Sequence, residues 1–297
     1  MITTSHVWLR RSATPMAIAA IPAILFILLF VFYAGWTIWT SFTDLALLGR
    51  KSVNPNFVWF DNYIRLVTRD GFLASVWTTT VFTFFSAIVG QCGIGLLLAI
   101  LLKNSRFKLK SVVEFAILFG WLAPDVVAAF MWNAFASSDG MINVMILQPL
   151  GFEKVNLLNE YAIEVVIIAN IWKGTAWSYL LFSAALDTVS KEVIEAAYMD
   201  GANALQRLRH VLLPLLRAQI ATNLLFVTIW TYAFFSLIYA LTGGGPGRET
   251  EVLSIYMYKQ AFDVGKLGYG SAVAIAMMLI VGVLSVFYVR QSKDQTK

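Results

Sequence analysis

Two charged side chains stand where charge is expensive. Lys173 lies in the run VVIIANIWKGTAWSYLLF, directly after Trp172 and one helical turn from Asn170; Asp125 follows Pro124 in APDVVAAFMWNAF. Both runs are apolar enough for a bilayer interior, where an ionised group turns away from lipid toward a partner or an aqueous path. An ammonium there can hold a polar or anionic solute, form an ion pair, or reach the headgroups along its own stem. If each run is one continuous helix, a rise of about 1.5 Å per residue puts both charges roughly 15 to 16 Å below the same boundary. Pairing, or a shared polar cavity, is then expected, because an opposite charge is the cheapest partner for either. Flat aromatic rings can stack on an apolar face of a solute, and Trp172, Trp177, Tyr179, Trp230, Tyr232, Phe235 and Tyr239 are available for that, for packing or for interfacial belts. Asp125, Asn170, Trp172, Lys173, Tyr232, Phe235 and Tyr239 form the candidate substrate pathway.

Little else in the chain suits covalent chemistry. The two histidines, His6 and His210, are far apart, the single cysteine, Cys92, sits in an apolar run, and no Ser/His/Asp set converges on one face. A phosphate-cradling G-x-x-x-x-G-K-[ST] loop is absent, and the run Gly243, Gly244, Gly245 continues into Pro246 and Arg248 rather than a Lys. No catalytic residue, metal site or bound cofactor is therefore assigned to this chain.

The elements that must position these residues follow from composition. Of 297 residues 59% are hydrophobic and 13% charged, with a mean hydropathy of +0.72, against about 25% charged in ordinary soluble domains. Six stretches approach the roughly 20 apolar residues a spanning helix needs: 16–39, 76–102, 112–135, 162–186, 211–241 and 270–290. The fold class is all-α, an integral membrane protein with six transmembrane helices. The first stretch is too long for a signal peptide's apolar core and lacks a clear cleavage site, so it is kept as a helix. Basic residues outnumber acidic ones in the segments holding Arg10, Arg11, Lys103, Arg106, Lys108, Lys110, Lys191, Arg207, Arg209, Arg217, Arg290, Lys293 and Lys297, and are outnumbered in the alternate loops. That bias puts both termini in the cytoplasm. The net charge of +5 is spread over short loops and signals topology rather than nucleic-acid binding. The organisation expected is a cytoplasmic tail at 1–15, a six-helix domain at 16–290 and a short tail at 291–297.

One long polar interruption remains, EAAYMDGANALQRLRHVLLP at 195–214. Its apolar residues recur at helical spacing around Gly201, where a missing side chain permits a sharp turn, so two short helices joined at a bend are expected. Pro214 can redirect the next helix at its first turn. Ala196, Ala197, Gly201 and Ala202 offer a small-residue face to another backbone, and Glu195 and Asp200 add carboxylates beside it. A docking element is expected here; an interfacial helix that only anchors the loop is the plainer alternative.

The spacing Glu195-Ala196-Ala197, Gly201, Val211-x-Leu213-Pro214 resembles the EAA signature of permease subunits of binding-protein-dependent ABC importers, with Val211 where Ile is commoner. NYIRL at 62–66, APDVVAAFMWNAF at 123–135, DGMIN at 139–143, LTGGGPGRET at 241–250 and LGYGSAVAIAM at 267–277 resemble the carbohydrate and glycerol-phosphate branch of that family, in which GYASA is commoner than this chain's GYGSA. The resemblance implies the type I importer permease fold in a bacterial or archaeal cytoplasmic membrane. It implies import of a sugar, sugar derivative or glycerol phosphate by alternating access, beside a second homologous permease and beneath an extracytoplasmic solute-binding protein. It also implies coupling of the 187–210 loop, through its 192–205 helix, to an ATPase dimer that holds ATP and Mg. Gly243 to Pro246 then belong to an outer loop near the binding protein. The rival class is an ion-gradient-driven secondary transporter, usually marked by internal repeats that are not evident here.

Overall fold

The computed structural model describes residues 13–68, 70–103 and 110–294; most of the expected N-terminal tail, with Arg10 and Arg11, and also Arg106, Lys108 and Lys297, lie outside that range. Four helices are long and apolar enough to cross a membrane: α1 (Ala13–Ser41, apolar from Ala20), α2 (Gly71–Lys103), α5 (Ala162–Asp187) and α11 (Leu267–Asp294, apolar to Arg290). Two bent pairs bring the number to six. One is α3 (Lys110–Leu122) with α4 (Asp125–Ala136), the other α7 (Ala204–Leu215) with α8 (Arg217–Tyr232). Between them lie α6 (Lys191–Met199), α9 (Ser236–Leu241) and α10 (Leu253–Tyr258). The helix α11 continues past the boundary expected at Arg290.

Spans three and five therefore correct the sequence expectation of single helices over 112–135 and 211–241. The axis turns by 114° between α3 and α4. Pro124 is the cause: its ring lacks an N–H, and it holds the preceding residue out of helical geometry. Its own backbone is extended, at φ −55° and ψ 141°. In span five the axis turns by 73° at Leu216. The turn before Pro214 widens into a π-helical stretch, Leu208–Leu212, the sort of bulge that accommodates a helix irregularity. A second break separates α8 from α9 at Ala233–Phe235, where the Phe234 carbonyl accepts from Ser254 Oγ at 2.6 Å.

The centre of the bundle is the packing of α2 on α5. A side chain at Gly95 would place its Cβ 2.4 Å from the Cβ of Ser178, so only glycine lets the helices approach this closely. A π-helical stretch in α2, Phe84–Cys92, turns Ser86 and Gln91 toward α5. Asn170 Nδ2 donates to Ser86 Oγ (3.0 Å), Gln91 Nε2 donates to the Asn170 carbonyl (3.1 Å), and Asn223 Nδ2 of α8 donates to Ser178 Oγ (2.9 Å). These buried polar groups bond to one another where lipid could not.

Two asparagines from the resembling motifs hold the loops. Asn62 donates to the carbonyls of Ser41 and Thr43, capping the end of α1. Asn143, fully buried, donates to Ser137 and Val155 carbonyls and accepts from Val155 N.

Candidate functional site

At the break between α3 and α4 the chain leaves the Ala123 carbonyl without a helical amide to receive. Lys173 of α5 supplies the donor: its Nζ lies 2.5 Å from that oxygen and 2.9 Å from Asp125 Oδ1 in the first turn of α4. The lysine side chain is 12% exposed and the aspartate 29%. The expected pair forms, by a route the sequence did not show. The two charges meet at a helix break, where one ammonium serves the end of one helix and the start of the next.

Lys173 also lines a cavity of about 120 Å³ between spans two, three, four and five, with Gln91, Asn170, Gly174, Thr231, and an aromatic wall of Trp121, Trp177, Trp230 and Phe234. Trp177 and Trp230 meet edge to face at 4.8 Å. Trp177 Nε1 is buried without a hydrogen-bond partner among the described residues. Gly174 makes room for Gln91, whose Cδ would lie 2.2 Å from an added Cβ. Sequence reading passed over Gln91 and Thr231, which carry no motif; the π stretch that aims Gln91 inward is a tertiary feature.

Four of the candidate pathway residues lie elsewhere. Trp172, next to Lys173 in sequence, faces a separate apolar hollow with Phe119 and Trp132. Tyr232 is buried in the core with Leu253, Tyr256 and Tyr269. Phe235 and Tyr239 stack on each other at 5.0 Å and against Tyr258. Helical adjacency sends neighbours to different faces, which accounts for the split.

At the end of the bundle where Lys103 donates to the Leu186 carbonyl, the loop from 187 forms the two expected short helices, α6 and α7, with a bend at Gly201 (φ +76°). Ser190, the N-cap residue of α6, donates through its hydroxyl to the Glu192 carboxylate. That bond, with a backbone amide and Lys191, holds the carboxyl below its ordinary pKa. Asn203 and Gln206 cap α7 reciprocally. Glu195, Ala196, Asp200 and Gly201 are exposed, whereas Ala197 is buried at the base of a groove of about 350 Å³ that it forms with Asp200, Gly201, Ala202, Gln206, His210 and Val211. The small-residue face is thus concave, and Ala197 is its floor.

The loop carrying Gly243, Gly244, Gly245 and Pro246 lies at the opposite end, where Arg248 Nη2 donates to the Gly71 carbonyl at 3.0 Å. It is internally bonded. Glu251, 7% exposed, receives Arg248 at 2.6 Å and Lys259 at 3.1 Å, and Thr250 Oγ1 donates to the Gly245 carbonyl. Gly243, Gly244 and Gly247 have φ of 59°, 90° and 56°, a region that side chains disfavour.

A bundle of spanning helices broken at three points, with a helical elbow at one end and a small, largely aromatic cavity between its central spans, has the architecture of a membrane transport subunit. Residues 92–296 match the family described as binding-protein-dependent transport system inner membrane component, and the chain belongs to that family. It is 33% identical over 237 residues, 79% of each chain, to the trehalose/maltose transport system permease protein MalF of Thermococcus litoralis. It is 32% identical over 243 residues, 80% of this chain and 78% of the relative, to the sulfoquinovosyl glycerol transport system permease protein SmoG of Agrobacterium fabrum. A chain of a bacterial alginate ABC transporter, crystallised with an alginate pentasaccharide-bound periplasmic protein, superposes with a TM-score of 0.82 at 22% identity over 96% of both chains. The chain is thus a multi-pass permease subunit of the cytoplasmic membrane, with the type I ABC importer permease fold.

Proposed function

We propose that this permease passes a carbohydrate, in the range of sugars, sugar derivatives and glycerol phosphate, through the cavity bounded by Gln91, Asn170, Lys173, Trp177, Trp230 and Thr231. The observation that carries the reading is the cavity's chemistry. Indole faces suit the C–H faces of a sugar ring, while the Thr231 hydroxyl, the partnerless Trp177 N–H and the amide atoms of Gln91 and Asn170 not bonded within the bundle suit its hydroxyls. The names of the relatives support a carbohydrate cargo. At about 120 Å³ the space on this chain is smaller than a usual ligand pocket, consistent with a second homologous permease completing it.

In this reading the 187–210 elbow faces the cytoplasm and seats α6 on a partner ATPase dimer that binds ATP and Mg. Nucleotide-driven closure below moves α6 and opens the cavity outward, where a solute-binding protein delivers cargo near the Gly243–Pro246 loop; hydrolysis resets it. The exposed backbone at Gly201, flanked by the groove, supports the docking role. Arg248 is tied to Glu251 of its own loop and to the Gly71 carbonyl of α2, and is a poor probe of the outer surface. Glu249 is exposed, so Glu249→Cys should crosslink to the binding protein during turnover.

Purified transporter reconstituted in vesicles tests both parts. Trp230→Ala and Gln91→Leu should lower uptake without loss of the assembled complex, and Gly201→Trp should uncouple ATP hydrolysis from the binding protein. Full uptake by the cavity variants would reject the pathway; full stimulation in Gly201→Trp would reject the docking.

A further inference from the structure

The elbow between α6 and α7 is held by more than backbone. Asp200, Gly201 and Ala202 amides donate back to the carbonyls of Ala196, Tyr198 and Ala197, closing α6 over the positive φ of Gly201. Across that turn Arg207 of α7 reaches back to α6. Its Nη1 donates to the Ala202 carbonyl at 2.6 Å, Nη2 donates to Tyr198 Oη at 3.0 Å, and the guanidinium carbon lies 3.7 Å from the Tyr198 ring centroid. One planar cation thus takes a carbonyl, a hydroxyl and a ring face, which an ammonium on a flexible stem cannot match. Neither Tyr198 nor Arg207 lines the groove formed by Ala197, Gly201 and Ala202.

We infer that Arg207 and Tyr198 form a clamp that fixes the angle between α6 and α7, making Arg207 a positioning residue for coupling; this rests on the reading that the 192–205 segment docks on the ATPase. A displacement imposed on α6 reaches the bent span α7–α8 through the elbow and the groove that the two arms share. A hinge at Gly201 free to flex absorbs that displacement, whereas a clamped one passes it on. The groove keeps its shape for the same reason, since its two sides belong to the two arms.

The test uses the complete transporter in a Cys92→Ala background with spin labels at Lys191→Cys and Arg209→Cys, both exposed positions on the two arms. Arg207→Ala and Tyr198→Leu should each broaden the label distance distribution. Each should also raise the ATP consumed per substrate imported by at least about fivefold, since each loses a cation–π contact together with a hydrogen bond from a charged donor. The double variant should be no worse than the worse single, and Arg207→Lys should recover only part of the coupling. An unchanged distribution in Arg207→Ala overturns the clamp. Loss in Arg207→Ala with none in Tyr198→Leu overturns it too, pointing to direct contact between Arg207 and a partner. Broadening with full coupling overturns the positioning role, and if Gly201→Trp also leaves coupling intact, the docking reading itself has failed.

Discussion

Removing Lys173 should harm the protein more than removing Lys173 and Asp125 together. At 2.9 Å and an effective dielectric near 20 the attraction is roughly 6 kcal/mol before desolvation, and taking both ions from water cancels much of that. Lys173→Met strands a partly exposed carboxylate and deprives the Ala123 carbonyl of its donor, so a loss of about 3 kcal/mol is expected. Asp125→Asn leaves the ammonium two oxygens to bond and should cost about 2 kcal/mol. With Asp125→Asn and Lys173→Met combined, only the Ala123 carbonyl is left wanting, at about 1 to 2 kcal/mol. The cycle then carries a coupling of roughly 3 kcal/mol, well above the few tenths by which independent sites depart from additivity. Thermal unfolding in detergent, followed by size-exclusion recovery, should rank the wild type first, then the double variant, then Lys173→Met. A double variant whose loss equals the sum of the singles would refute the argument that the two charges stabilise each other at the helix break.

Gly270→Ala, which restores the commoner family wording, should destabilise this chain by about 1 to 3 kcal/mol, because the new Cβ would fall 2.6 Å from Ala261 Cβ; adding Ala261→Gly should recover most of the melting temperature. Asn143→Ala removes three hydrogen bonds from a fully buried loop staple and should cost about 2 to 4 kcal/mol, read as lower recovery after heating. Gly95→Leu should push α2 off α5 and abolish assembly of the folded subunit, measured by size-exclusion yield. Glu251→Gln leaves Arg248 and Lys259 without their shared carboxylate and should speed proteolysis of the 242–252 loop.

Hydrophobic runs of bilayer length were readable along the chain because lipid demands them everywhere in a span, whatever its neighbours. The elbow was legible for a related reason. Gly201 marks a turn that needs positive φ, and local periodicity names the helices on either side. Asp125 and Lys173 could be matched because a buried charge has few partners open to it, although the equal depth that suggested the match assumed a continuous helix that the 114° bend removes. Tertiary structure decided the rest. Pro124 and Pro214 announce irregularity but not the 114° and 73° turns, which depend on what packs into each bend. The side-chain face that meets the cavity depended on the π stretch in α2 and on the close approach that Gly95 and Gly174 permit. For that reason Gln91 and Thr231 line the cavity while Trp172, Tyr232, Phe235 and Tyr239 do not. Sequence spacing sets which residues share a helix, but the rotation of that helix against its neighbours is set by packing over the whole bundle.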